Sequence, residues 1–293
     1  MWLFWLLVSV VCTSAECATN RRILRNSTDT GSYLVNYNLA ATLLLVAVMP
    51  FGTLRLPQAG MSWVLLLVAG ATWYLGARFS FQADRRIEVS VSSLISQIKI
   101  LLLVILGAAI FKESLTPLQL GGVGLMFSGL VVLNIVARRA NAAFAHTSDI
   151  HARRNLWIGV GLKLLSVSMT TTAIMIDKTL TNVTDPAVIA VSGYLLPLVL
   201  GGIASLRKRR EADQPRMRFS AGALVAGCLS GTAYVTLVQS FSAKPLSLVF
   251  SLYQMNVLLT LALGFFWLEE RDNVWGKALA GIVITMGSVA LVW

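Results

Sequence analysis

The sequence contains few charged residues, few histidines and few cysteines. Only 13% of its 293 residues are charged, against about 25% in an average soluble domain. Its three cysteines fall in apolar segments far apart, and its two histidines have no ligand cluster around them, so neither a disulfide framework nor a metal site is indicated. Phosphate-binding glycine loops and ATP-hydrolysis motifs are also missing. We therefore expect no enzyme activity, no cofactor and no ATP-driven motor.

Long apolar runs occupy most of the chain. Hydrophobic residues make up 56% of it, and the mean hydropathy is +0.74. A bilayer core requires about 20 apolar residues per helix, so ten spanning helices would leave only short loops. The sequence predicts an all-α integral membrane protein with helices over residues 2–20, 34–54, 61–81, 89–111, 117–137, 156–176, 187–206, 219–241, 245–268 and 274–293.

The first apolar run has two interpretations. The stretch from Trp2 to Val11 resembles the core of a signal peptide, followed by the small residues Thr13, Ser14 and Ala15. A basic region before it is missing, however. We therefore favour a first transmembrane helix over a cleaved signal for residues 1–20.

Basic residues outnumber acidic ones by 24 to 13, which gives a net charge of +11. Eighteen of them fall in the odd-numbered predicted loops and four in the even-numbered loops. This alternation follows the positive-inside rule and supports an even number of helices with both termini outside the cytoplasm. Because the charge lies in short loops and forms no basic face, we expect no nucleic-acid partner.

An internal repeat occurs at an offset of 157 residues. The segment SSLISQIKILLLVILGAAIFKES from Ser92 matches VFSLYQMNVLLTLALGFFWLEER from Val249. The aligned pairs are Gln97 with Gln254, Lys99 with Asn256, Gly107 with Gly264, and Glu113 with Glu270. This repeat divides the chain into two halves, 1–137 and 156–293, which a basic loop at 138–155 joins. Since each half has five helices, the halves insert with opposite orientation, which is the inverted-repeat architecture of many secondary transporters.

The ends of both halves resemble EamA domains. The first half closes with Phe111-Lys112-Glu113-Ser114-Leu115-Thr116, and the second with Leu268-Glu269-Glu270; glycines such as Gly129 and Gly287 follow. Tandem EamA domains are typical of the drug/metabolite transporter superfamily. That resemblance implies a transporter of small molecules, although the superfamily is usually drawn with both termini in the cytoplasm.

Ionisable residues inside predicted spans are candidate site residues, because such groups are costly in a bilayer. Glu16 lies in a stretch that resembles the first helix of small multidrug-resistance proteins, a resemblance that implies competitive binding of protons and cations; the alternative is an interfacial position beside Arg21 and Arg22. Lys99 lies in Gln97-Ile98-Lys99-Ile100, which resembles a phosphate-contacting segment of nucleotide-sugar transporters. The alternative for Lys99 is a structural pair with Glu16 or another carboxylate.

Further candidates are polar groups on other predicted helices. Lys163 either binds an anion near the bilayer midplane or extends its ammonium group to the interface. Four polar residues either hydrogen-bond a polar substrate or form hydrogen bonds between helices: Tyr234, Tyr253, Gln254 and Asn256. We interpret Glu113, Glu270 and Asp177 as groups at helix ends.

The sequence therefore predicts a secondary active transporter that exports or exchanges a small polar metabolite or drug by alternating access. A nucleotide-sugar or other organic-anion antiporter is the alternative, and a non-transporting membrane protein or a lipid head-group enzyme is a remote one. The expected partners are a small-molecule substrate, the lipid bilayer and protons as coupling ions, with homodimer formation left open. A bacterial inner or plasma membrane is favoured over a eukaryotic organelle membrane.

Overall fold

The computed structural model describes residues 1–24, 30–48, 55–84, 86, 89–112, 116–141, 150–212, 220–267, 279, 281–283, 286–287 and 290. In these residues the regular secondary structure is entirely helical. The helices are α1 (Trp2–Leu24), α2 (Thr30–Val48), α3 (Gly60–Asp84), α4 (Val89–Phe111), α5 (Pro117–Asn141), α6 (Ile150–Leu180), α7 (Pro186–Ala212), α8 (Ala221–Ala243), α9 (Leu246–Tyr253) and α10 (Met255–Trp267). Helices are the natural outcome because the bilayer offers backbone groups no other hydrogen-bond partner.

Six of these helices, α1, α2, α3, α6, α7 and α8, are long and apolar enough to cross a membrane. The span in α1 runs over Trp2–Asn20, which agrees with the first predicted helix. The ninth predicted helix, 245–268, consists of α9 and α10, separated by a turn at Gln254. Most of the tenth, 274–293, lies outside the described residues, as do Glu113 and Glu270.

The chain divides into two compact units. Unit 1 comprises Met1–Tyr74 and Ala173–Lys244, and unit 2 comprises Leu75–Thr172 and Pro245–Trp293. Each unit thus takes helices from both predicted sequence halves, and the chain passes between units within α3 and α6. The assignment of 1–137 and 156–293 as repeats stays a prediction.

In unit 1, α8 packs along α1, α2 and α7, and glycines allow its approach to α2. A Cβ atom on Gly227 would lie 2.2 Å from the carbonyl oxygen of Tyr37 and 3.0 Å from Cβ of Ala40. One turn later, a Cβ on Gly231 would lie 3.3 Å from the backbone of Ala41. Small residues at this spacing let two membrane helices pack backbone to backbone, which fixes the register of α2 on α8.

In unit 2, α3 and α6 meet in the same way. The Ser166 hydroxyl donates to the carbonyl oxygen of Gly76 at 2.7 Å, and a Cβ on Gly76 would lie 2.7 Å from Cγ2 of Thr170. Elsewhere in the unit, α4 packs against α5 and α9. The turn at Gln254 therefore interrupts a helix that packs on α4.

Candidate functional site

Glu16 lies well inside α1 and is hydrogen-bonded by neutral side chains. Its Oε1 accepts from the Tyr37 hydroxyl at 2.5 Å and from Nδ2 of Asn20 at 3.2 Å. The Tyr33 hydroxyl in turn donates to Oδ1 of Asn20. Within the part of the chain that the structure describes, every side chain bonded to Glu16 is uncharged. The carboxylate is therefore stabilised by dipoles and lacks a cationic partner there.

A chain of hydroxyl groups leads away from Glu16. The Tyr37 hydroxyl is also within hydrogen-bond distance of Oγ of Ser230, and Ser230 Oγ lies 2.7 Å from the Tyr194 hydroxyl. The rings of Tyr37 and Tyr194 are in contact, with centroids 6.3 Å apart. Each hydroxyl carries one proton, so the direction of every bond in this chain depends on the protonation of Glu16.

Asp177 forms a second acidic centre in unit 1. It is 1% exposed, and its Oδ2 accepts from Nε1 of Trp73 at 3.0 Å and from the Tyr234 hydroxyl. The rings of Trp73 and Tyr234 meet edge to face at 5.2 Å, and Tyr194 meets Tyr234 edge to face at 6.0 Å. Asp177 thus lies against an aromatic cluster formed by Trp73, Tyr194 and Tyr234.

Helix α8 connects the two acidic centres. Ser230, which belongs to the Glu16 chain, and Tyr234, which binds Asp177, are four residues apart and so one turn apart, a rise of about 6 Å. The Gly227 crossing holds Tyr37 beside Ser230. Gly193 on α7 makes room for the aromatic cluster, since a Cβ there would lie 3.3 Å from the Tyr234 ring.

The predicted site residues separate between the two units. Glu16 and Tyr234 belong to unit 1, in one connected network, whereas the other predicted residues belong to unit 2: Gln97, Lys99, Lys163, Tyr253, Gln254 and Asn256. Their roles in substrate binding stay predictions. Among the described residues, no group of three metal-ligating side chains comes together.

Lys163 is buried in unit 2, where it is 6% exposed and donates to Oγ of Ser80 at 2.7 Å. Ser80 is the last residue of the α3 span, so both interpretations of Lys163 stay predictions. Gln254 is 4% exposed at the turn between α9 and α10, and Tyr253 packs edge to face on Phe250 at 5.9 Å. Lys99 and Asn256 are partly buried, and the side chain of Gln97 lies outside the described residues.

Asp177 is the residue that sequence reasoning missed. Its predicted position at a helix end is confirmed, since it lies in the last turn of α6, which ends at Leu180. Its burial was not predicted, because polar residues follow it, among them Lys178 and Thr179. Nothing local in the sequence indicates that Trp73 and Tyr234, in the middle of two other spans, contact it.

Comparison with known proteins finds a matching family for the first part of the chain. Residues 1–135 match the EamA-like transporter family, which belongs to the drug/metabolite transporter superfamily. Together with the six long apolar helices, this match indicates a multi-pass integral membrane protein, and the matched family transports small solutes across the bilayer. The members of this family are transporters and not enzymes.

The fold also occurs in solved structures. One, described as "Crystal structure of protein", is 16% identical, covers 98% of this chain and 98% of its own, and has a TM-score of 0.73. At that identity the likeness concerns the fold alone. No curated protein matches the chain.

Proposed function

We propose that the chain is a ten-helix secondary active transporter made of two inverted EamA-type repeats, which exports or exchanges a small polar solute by alternating access. One observation carries the proposal. The Ser9 hydroxyl donates to the carbonyl oxygen of Ala233 at 2.7 Å in unit 1, and Ser166 donates to Gly76 at 2.7 Å in unit 2. Both the donors and the acceptors are 157 residues apart, the offset of the sequence repeat.

Two further pairs at the same offset support the repeat. Gly70 and Gly227 are both sites of close helix crossing, Gly70 against Ser192 and Leu196 of α7 and Gly227 against α2. Tyr37 and Tyr194, on α2 and α7, have rings in contact. Repeats that insert with opposite orientation supply two similar conformations of one chain, which is the basis of alternating access.

Glu16 is the group that we assign to proton coupling. It belongs to a candidate span, its bonded side chains are neutral, and it begins a chain of hydroxyl groups that reverses direction when the carboxyl gains a proton. An ionisable residue inside a span is costly unless it is paired or hydrated, so its presence indicates a functional role. The absence of ATP-hydrolysis motifs from the sequence makes an ion gradient the natural source of energy.

The test is proton movement driven by solutes in proteoliposomes. Purified protein is reconstituted with a pH-sensitive dye inside, and amino acids, organic cations, sugar phosphates and nucleotide-sugars are added in turn. We expect one class to cause saturable proton flux that Glu16→Gln abolishes. The matched control is Glu211→Gln, at the end of α7 outside the candidate span. Proton flux that Glu16→Gln leaves unchanged would contradict the assignment.

A second candidate function, exchange of organic anions, is favoured by Lys163. A buried ammonium bonded to a serine hydroxyl is suited to receiving an anionic group. In this case sugar phosphates would exchange across the bilayer without proton flux, and Lys163→Gln would stop that exchange. The same proteoliposome screen distinguishes this function from the first.

A further inference from the structure

The aromatic cluster around Asp177 has the chemistry of an ammonium-binding site. Both side chains that donate to Asp177, Trp73 and Tyr234, are neutral, so its negative charge is not compensated by them. An unpaired buried charge is expensive, and a cation supplied by a ligand would offset that cost. Anionic and neutral solutes gain nothing comparable from this carboxylate.

The rings supply the second half of the recognition. Trp73, Tyr194 and Tyr234 meet edge to face, and two of them donate to Asp177. Ammonium groups are attracted to aromatic ring faces and to carboxylates alike. The backbone at Gly193 lies directly behind the Trp73 and Tyr234 rings, 3.7 Å and 3.3 Å from where a Cβ atom would be, so the wall formed by α7 determines how much room these rings have.

Glu16 is close to this cluster but is not part of it. Its bonded partners, Asn20, Tyr37 and Ser230, differ from those of Asp177, and the connection runs from Ser230 to Tyr194. We propose that Asp177, with Trp73, Tyr194 and Tyr234, binds the ammonium group of an amine substrate, while Glu16 carries the exchanged proton. This inference rests on the proposed function and names the substrate class and a separate binding residue.

The hydroxyl chain gives the coupling between the two sites. When Glu16 is ionised, Tyr37 donates to it, Ser230 donates to Tyr37, and Tyr194 donates to Ser230. When Glu16 is protonated, its own O–H donates to Tyr37, and the two following bonds reverse. The direction of the Tyr194 hydroxyl, whose ring touches Tyr234, therefore changes with the proton on Glu16.

Few other titratable groups face Glu16 in the described part of the chain. They are Cys12 on its own helix and Tyr33 and Tyr37 on α2, whereas α8 presents the hydroxyl of Ser230. Thiol and phenol groups ordinarily titrate above neutral pH. Asp177 is the other carboxyl of this network, so Glu16→Gln decides whether a proton released near neutral pH on amine binding comes from Glu16.

The experiment is calorimetric titration of the purified full chain with three probes of one shape: benzylammonium, benzyl alcohol and benzoate. Titration in buffers of different ionisation enthalpy counts the protons released. We expect wild type to bind benzylammonium alone and to release a proton. Asp177→Asn, which keeps an acceptor for Trp73 and Tyr234 but removes the charge, should weaken binding about 30-fold. Asp185→Asn, a matched change at the start of α7, should not.

Two variants separate binding from coupling and from folding. Glu16→Gln should bind benzylammonium within about threefold of wild type but release no proton. Tyr234→Phe keeps the ring and removes one donor from Asp177, so it should bind benzylammonium as tightly as wild type or more tightly. If the role of Asp177 were purely structural, this variant would lose thermal stability and would not keep its affinity for benzylammonium. This second variant keeps the test valid if Asp177→Asn does not fold.

Three results would overturn the inference: no binding of benzylammonium by wild type, wild-type affinity in Asp177→Asn, or loss of binding in Glu16→Gln to the same extent as in Asp177→Asn. Failure of the proposed function looks different. In that case benzylammonium binds as described, yet no solute of the screen crosses the proteoliposome membrane. Conversely, transport of another solute without binding of benzylammonium would overturn this inference alone.

Discussion

The two compact units carry opposite kinds of polar chemistry. In unit 1, Glu16 and Asp177 are bonded to phenol, indole, amide and hydroxyl groups. In the described part of unit 2, Lys163 is a buried ionisable group and is bonded to Ser80. If these groups contact substrate, as we propose, unit 1 favours a cationic group and unit 2 an anionic one.

The packing of the two units is similar although their chemistry differs. In each unit a serine hydroxyl from one helix donates to a carbonyl oxygen of another at 2.7 Å, and a glycine admits a close crossing, Gly227 in unit 1 and Gly76 in unit 2. Similar packing with unlike polar side chains distinguishes the residues that hold helices together from the candidate site residues. Variants can therefore be chosen that affect either the scaffold or the site.

The largest effect is expected at the scaffold of unit 1. Gly227→Leu places a side chain where even a Cβ would lie 2.2 Å from the Tyr37 carbonyl oxygen, so α2 must move away from α8. We expect a loss of about 3 kcal/mol in the free energy of unfolding, measured by denaturant titration in detergent. Gly124→Leu on α5, where nothing lies within 4 Å, is the control and should change little.

How much of this was visible in the sequence differs between scaffold and site. Long apolar runs predicted helices, because lipid leaves few other solutions for an apolar chain, and the match between the segments from Ser92 and Val249 predicted the offset of 157 residues. The sequence could not predict the Asp177 cluster, since Asp177, Trp73 and Tyr234 are on three helices far apart in sequence. It also could not predict the division into units, which assigns Glu16 to unit 1 and Lys99 and Gln97 to unit 2. Only helix packing within a unit brings the residues of such a cluster together.

The next effect concerns the site of unit 1 and leaves the scaffold intact. Tyr37→Phe removes the hydroxyl that contacts both Glu16 and Ser230 but keeps the ring against Tyr194. Proton flux driven by a substrate in proteoliposomes should fall about tenfold, equivalent to about 1.4 kcal/mol, while thermal stability changes little. Tyr74→Phe, outside the hydroxyl chain on α3, is the matched control. Equal losses in both variants would mean that the chain of hydroxyl groups carries no coupling.

The smallest effect tests the similarity of the two units. Ser9→Ala and Ser166→Ala each remove one interhelical hydrogen bond of the same length, 2.7 Å, to a carbonyl oxygen. Interhelical bonds of this kind contribute about 1 kcal/mol or less, so each variant should lose that much, and the double variant should lose the sum because the contacts lie in different units. Ser128→Ala on α5, whose hydroxyl bonds to its own helix at Gly124, should lose almost nothing. If one of the two variants left the free energy of unfolding unchanged in denaturant titration, the hydrogen bonds at the offset of 157 residues would be equivalent in geometry but not in energy. The repeat would then not contribute equally to the stability of both units.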